Sequence, residues 1–221
     1  MAPGRVIYLI RHGERVDNIN DRWLRNSKYT GFYKSDNSPL SPRGETQGAE
    51  LAKWFANKSV DAIFASPYDR TLDTATRMIG DRNIPIKPEA AFIEVLYLCH
   101  NPPGVRSKKD LKSKYPLFDE DYEPILNPWT GKLPSEPAGD DGCVARVRSA
   151  IYQIMDEYPG NIAIVSHAAV IGALLEVLVG RWTYVGQATV TRLVETRPHE
   201  CVAMEISDAS HLSDKTNLRP Y

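Results

Sequence analysis

Three short runs limit what this chain can fold into: RVIYLI at residues 5–10, DAIFA at 61–65 and NIAIV at 161–165. Each is apolar at nearly every position and rich in β-branched residues, the pattern of a central strand covered on both faces. Segments of helical period lie between them. Such alternation predicts βαβ units and a mostly parallel central sheet in a three-layer α/β/α architecture. At 221 residues the chain is long enough to bury a proper core, and residues 1–221 are expected to form one domain.

The helices announce their own ends. Ser41 followed by Pro42 reads as an N-cap and first helical residue, with Leu51, Ala52 and Phe55 on one face. Ser66-Pro67-Tyr68-Asp69 matches a capping box, followed by Leu72, Ala75, Thr76 and Ile79 at the spacing of a buried stripe. A third helix is expected over about Gly142–Tyr158, and a fourth, buried, over Ala168–Val179 with Gly180 as its C-cap. Val202, Met204 and Ile206 alternate with Ala203, Glu205 and Ser207 as in a half-buried edge strand, which offers a place for another copy to pair; the oligomeric state is otherwise unreadable. The polar residues from about 208 to 221 are expected to fray.

Two long stretches fit no element and are expected to act as lids. Residues 18–38 are polar but carry Trp23, Tyr29, Phe32 and Tyr33, either lining a pocket for an apolar leaving group or anchoring the lid. Residues 97–141 hold seven of the sixteen prolines and switch from a basic to an acidic run, which sets them apart from the rest of the chain.

Composition excludes several classes. With 27 Lys+Arg against 28 Asp+Glu the net charge is −1, which speaks against a nucleic-acid partner. No apolar run approaches a membrane span and the first residues lack the organisation of a signal peptide, so a cytoplasmic protein is expected. The three cysteines show no CxxC spacing and the five histidines no HxH or HExxH spacing, so no metal site or cofactor is indicated and a metallohydrolase is the least favoured reading.

Chemistry gathers where strands end. The first strand runs into Arg11-His12-Gly13-Glu14-Arg15, the second into Ser66-Pro67-Tyr68-Asp69-Arg70 and a later one into Ser166-His167. Ligands of open α/β sheets bind at the carboxyl ends of strands, so two histidines and three arginines would converge there. Guanidiniums in fixed fork geometry make a socket for a phosphate dianion. A neutral imidazole among them can act as a nucleophile, because the surrounding cations disfavour its protonated form. Arg70 sits about 200° around a helix of roughly 3.6 residues per turn from Leu72, away from the core stripe and in the first turn beside any bound anion. Arg11, at the end of a buried strand, calls for a buried anionic partner. Taken singly, each histidine is more often a hydrogen-bonded structural residue. It is the coincidence of strand ends that points to phosphoryl transfer through a phosphohistidine.

RHGER at 11–15, LSPRG at 40–44 with Gln47, SPxxR at 66–70 and SH at 166–167 together resemble the histidine phosphatase, or phosphoglycerate mutase-like, superfamily over about residues 5–206. RHGERVD at 11–17, Trp23-Leu24, FASP at 64–67, the Glu94 segment, Asp121-Tyr122 with Pro124, and IVSH at 164–167 resemble the phosphatase domain of the suppressor of T-cell-receptor signalling proteins and of the insect ecdysteroid-phosphate phosphatases. The resemblance implies a phosphoglycerate mutase-like fold and a metal-independent phosphomonoester hydrolase acting on a phosphorylated small molecule or a phosphoprotein, including phosphotyrosine or another aryl or apolar phosphate. It implies that His12 is the nucleophile, that Arg11, Arg15, Arg70 and His167 hold the phosphoryl oxygens, and that Glu94 is the proton donor, with Glu136 and Asp140 or Asp141 as alternative acids. Ala168 stands where the family usually has glycine, which keeps open a phospholigand-binding module with little turnover. A phosphoglycerate-type mutase is a further alternative, against which the ERVDN that follows RHG argues.

Overall fold

The computed structural model describes residues 4–220, and in it the three apolar runs become strands β1 (Val6–Arg11), β2 (Ala62–Ala65) and β4 (Ile162–Ser166). Two strands lacking a clear sequence signal join them: short β3 (Ile86–Pro88) and β5 (Val190–Arg197), with β6 (Glu200–Asp208) closing the edge. The sheet order is β3-β2-β4-β1-β5-β6. β1 and β2 both pair parallel with β4, and β2 with β3, whereas β5 runs antiparallel to β1 and β6 to β5.

Successive residues of the central strands serve opposite faces, as pleating demands. Ile7, Leu9, Phe64, Ile162 and Ile164 pack under α4 (Val144–Glu157) and α5 (Ala168–Val179). Tyr8, Ile10, Ile63, Ala163 and Val165 pack under α1 (Pro42–Phe55) and α2 (Asp69–Ile79). The three-layer mixed α/β fold with its mostly parallel sheet is therefore as the sequence implies. Ser41 accepts from the Gly44 N–H at the start of α1, and Gly180 closes α5 in the left-handed region at φ 79°. On α2, Thr74 rather than Thr76 lies within the buried face.

Four expectations are corrected. Ser66 does not cap α2: the N-cap is Tyr68, which makes no side-chain cap bond, and Ser66 is turned toward His167 instead. The edge strand changes phase along its length: Cys201 is buried and Ala203 packs against the core while Val202 and Met204 are 50% and 54% exposed, yet Ile206 packs inward as expected. Apolar character alternates weakly there, and irregular pairing between β5 and β6 sets the phase. Residues 97–141 are not without structure: Ser107 caps a short helix, α3 (Lys108–Lys114), whose Leu111 is buried. Finally, the segment after 208 docks. Leu212 is buried, the Arg43 guanidinium reaches the Asp214 carboxylate and the Thr216 carbonyl, and the Gln187 N–H donates to the Leu218 carbonyl at 2.7 Å. Two leucines among polar residues are enough to anchor it. No helix among the described residues is long and apolar enough to cross a membrane.

Candidate active site

The loop after β1 is built from close backbone approaches. A Cβ on Gly13 would lie 2.8 Å from the Gly44 carbonyl oxygen, and one on Gly44 would lie 2.1 Å from that of Glu14, so the loop and the start of α1 nest only because both positions lack side chains. The LSPRG segment is the buttress. Ser41 Oγ donates to Glu14 at 2.7 Å, Arg43 pairs with it at 2.9 Å, and Gln47 Oε1 accepts the Glu14 N–H at 2.8 Å. From the other side Thr74 of α2 accepts the Gly13 N–H at 3.1 Å.

This frame brings together the residues singled out in the sequence. The His12 and His167 rings lie 5.3 Å apart, both buried. His12 Nδ1 is 2.7 Å from the Gly13 carbonyl, which can only accept, so Nδ1 carries the proton and Nε2 the free lone pair. Arg70 Nη2 is 3.3 Å from His167 Nδ1, and an arginine can only donate. His167 therefore holds its proton on Nε2 and donates to Ser66 Oγ at 2.9 Å. Glu94 Oε2 stands 3.5 Å from the same His167 Nδ1.

Both imidazoles are pushed well below the usual histidine range, first by burial and then by the field of nearby cations. For His12 these are Arg70, Arg11 and Arg15; for His167 the largest is again Arg70. Arg11 is lowered to about 10, first by burial, and Arg70 is lowered by burial and then by Arg15. In place of the anionic partner expected for Arg11 stand carbonyls: its Nη1 donates to those of Val185 and Arg219. Arg15 pairs with Asp17 at 2.9 Å. The Nε atoms of Arg11 and Arg70 are buried and have no hydrogen-bond partner among the described residues. Buried donors are rarely left so, and two such guanidiniums acting on two neutral imidazoles suit the binding of an anion.

A pH effect on stability follows. A histidine at an ordinary value of 6.5 in the unfolded chain takes up a proton that the folded chain refuses, so below pH 6.5 the unfolded state binds more protons and stability falls as pH falls. Chemical unfolding between pH 7.5 and 5 is expected to lose up to about 1.4 kcal/mol per pH unit for each of the two rings. Unfolding free energy flat over that range would contradict their neutrality.

The sequence did not single out Arg146. Buried on α4, it donates to the carbonyls of Ala91 at 2.8 Å and Ile93 at 3.0 Å and is paired with Glu136, so it holds the main chain that presents Glu94. A charged residue on the apolar face of α4 was its only signal. Two of the other candidate acids are occupied elsewhere: Glu136 by Arg146 and the Leu96 N–H, Asp140 by the hydroxyls of Tyr97 and Tyr184. Asn18, also unremarked, accepts the Arg15 N–H and the Gln187 amide at the rim of the socket. Three of the four aromatic residues of 18–38 pack on one another, Trp23, 3% exposed, meeting Tyr29 at 5.5 Å and Tyr33 at 6.1 Å, whereas Phe32 is 63% exposed. The packed three anchor the segment. A cavity of about 620 Å³ opens instead along 96–103 and 128–138, beginning two residues beyond Glu94.

Residues 7–197 match the model of the histidine phosphatase superfamily (branch 1). The chain belongs to the histidine phosphatase superfamily. Among this phosphatase's relatives, the adenosylcobalamin/alpha-ribazole phosphatase of Escherichia coli K12 is 27% identical over 175 residues, 79% of each chain. The ecdysteroid-phosphate phosphatase of Drosophila melanogaster is 24% identical over 210 residues, which span 81% of this chain and about a quarter (27%) of that longer protein. The ecdysone phosphate phosphatase of Bombix mori, solved with tungstate, superposes with a TM-score of 0.67 at 18% identity, covering 92% of this chain and 93% of the other, and so shares the fold.

Proposed function

We propose that this histidine phosphatase hydrolyses phosphomonoesters through a phosphohistidine on His12, without a metal ion, and favours esters with apolar or aryl leaving groups such as phosphotyrosine. The observation that carries the reading is the His12 Nε2 lone pair, freed by the Gly13 carbonyl's hold on Nδ1, amid guanidiniums whose Nε atoms await an acceptor. In the first step Nε2 attacks phosphorus while Glu94 gives its proton to the departing ester oxygen, releasing the alcohol. In the second, the Glu94 carboxylate takes a proton from water, whose oxygen attacks the phosphohistidine; inorganic phosphate leaves and neutral His12 is restored. Arg11, Arg15, Arg70 and His167 hold the phosphoryl oxygens and spread the charge of both transition states, the dominant task in phosphoryl transfer. Fixed guanidiniums supply the neutralisation for which other phosphatases use a cation.

The leaving group would lie toward Leu96, Tyr97, Pro128 and Leu133, which line a cavity with His100, Lys132 and Glu136 and follow Glu94 along the chain rather than sharing its lining. Relatives named for ribazole, ecdysteroid and phosphoserine phosphates show how widely that side varies within the superfamily. A cytoplasmic location fits three cysteines that are all free thiols. The test is a comparison of phosphotyrosine and phosphoserine peptides with and without EDTA. We expect no effect of the chelator and a preference of about 10-fold or more for the aryl ester, on the scale of a side chain filling an apolar pocket. Loss of activity in EDTA would overturn the metal-free mechanism, and equal rates would overturn the leaving-group assignment. Binding of vanadate without turnover on any ester would mark a phospholigand-binding module instead.

A further inference from the structure

We propose that Asp36 and Asn37 are positioning residues for the phosphate site, a latch that joins the two long segments over the first turn of α2 and aims Arg70. The idea rests on the reading of Arg70 as a phosphate ligand, and it begins from the missing cap on α2. Tyr68 offers the helix no side-chain acceptor, yet the Asp69 N–H is not orphaned, because Asn37 Oδ1 accepts it at 2.9 Å from a distant part of the chain. The same amide donates through Nδ2 to Asp69 Oδ2 at 3.0 Å and to the Gly104 carbonyl at 3.0 Å. Asn37 is fully buried and spends its polar atoms on binding α2 to residue 104.

Asp36 completes the device. Its carbonyl accepts Arg70 Nη1 at 2.9 Å. Its carboxylate, 4% exposed, accepts at one oxygen, Oδ2, the Tyr68 hydroxyl at 2.7 Å and the N–H groups of His100 and Gly104 at 2.9 Å each. The Arg70 guanidinium carbon in turn sits over the Tyr68 ring, 4.5 Å from its centroid, and that ring is edge-on to His167 at 5.8 Å. With Nη1 held by Asp36 and Nη2 beside His167, only one rotation of the guanidinium remains, and it leaves the Nε–H unspent for an incoming oxyanion. Neither Asp36 nor Asn37 reaches the reacting atoms; both act through Arg70. The latch also ties the segment 97–141 to the aim of that arginine, since the two N–H groups on Asp36 belong to that segment.

Three variants separate this role from simple stability. Asp36→Ala keeps the carbonyl that Arg70 uses and removes the carboxylate that fixes it in place through Tyr68, His100 and Gly104. Asp36→Asn retains an oxygen where the three donors meet and places its NH₂ where Oδ1 now has no hydrogen-bond partner among the described residues, 3.9 Å from His100 Nε2. Gly104→Ala strikes the latch from outside, because its Cβ would lie 2.3 Å from Asp36 Oδ1 and 2.5 Å from Lys34 Cβ. The readouts are vanadate affinity by calorimetry and KM for a phosphomonoester, on protein shown to be folded by its thermal transition. Misaimed phosphate ligands weaken oxyanion binding, whereas a smaller folded fraction lowers kcat and leaves both constants alone. We expect Asp36→Ala and Gly104→Ala to raise the vanadate Kd and KM about 10-fold, and Asp36→Asn to stay within about 3-fold of the parent. Unchanged constants in Asp36→Ala or Gly104→Ala would overturn the latch, as would an Asp36→Asn variant as weak as Asp36→Ala. Failure of the parent protein to bind vanadate would strike the phosphate-site reading itself, which keeps the two ideas apart.

Discussion

Replacing His12 with alanine is expected to lower kcat by at least about 10³-fold on every phosphomonoester, and to leave no acid-labile phosphoenzyme in a quench experiment with labelled substrate. The ring forms the new bond to phosphorus in the proposed first step, and His167 cannot stand in for it: its Nδ1 faces Arg70 and its Nε2 is committed to Ser66. Folding should survive. The imidazole is a buried group held neutral against its surroundings, with one hydrogen bond to its own neighbour's carbonyl, so the thermal transition should move by a few degrees at most. Turnover retained in folded His12→Ala would remove this residue from the nucleophile role.

The second large effect belongs to Arg70. Arg70→Ala is expected to cut kcat/KM by about 10²- to 10³-fold, the range for deleting one fixed donor to a developing negative charge. The same variant should change the histidines. Arg70 is the largest charge holding both rings neutral, so its removal moves their proton affinities upward, toward ordinary values. Ring signals followed by NMR should then titrate at higher pH in the variant than in the parent. Rings that titrate alike in both, with activity retained, would take Arg70 out of the site.

Much of the fold was legible because its strongest signals are local. RVIYLI, DAIFA and NIAIV can be little else than covered strands, and α1 and α5 are marked by Ser41-Pro42 and Gly180. The site was legible for a related reason: His12, Arg70 and His167 each follow a strand, and parallel strands deliver their carboxyl ends to one edge. What stayed hidden depends on distant partners. Ser66 fits a local capping rule but is claimed by His167, and α2 is capped instead by Asn37, 32 residues away from Asp69. β6 has apolar residues on both faces, so its neighbour β5 decided which pointed inward. Arg146 holds the Glu94 main chain through carbonyls that no sequence pattern displays. The docking of 209–219 likewise rests on main-chain acceptors, for Arg11 and Gln187, that composition cannot reveal.

The choice of those acceptors has a consequence. Arg11 and Arg70 are steadied by the carbonyls of Val185, Arg219 and Asp36, dipoles that orient a cation without cancelling it. Carboxylates in the same places would have formed internal ion pairs that a ligand must first break. In the proposed mechanism the two guanidiniums thus keep their charge for the phosphoryl oxygens, with no ion pair of their own to be broken first. On that reading, part of the affinity for a phosphate group is set by folding itself, through the placing of three carbonyl dipoles.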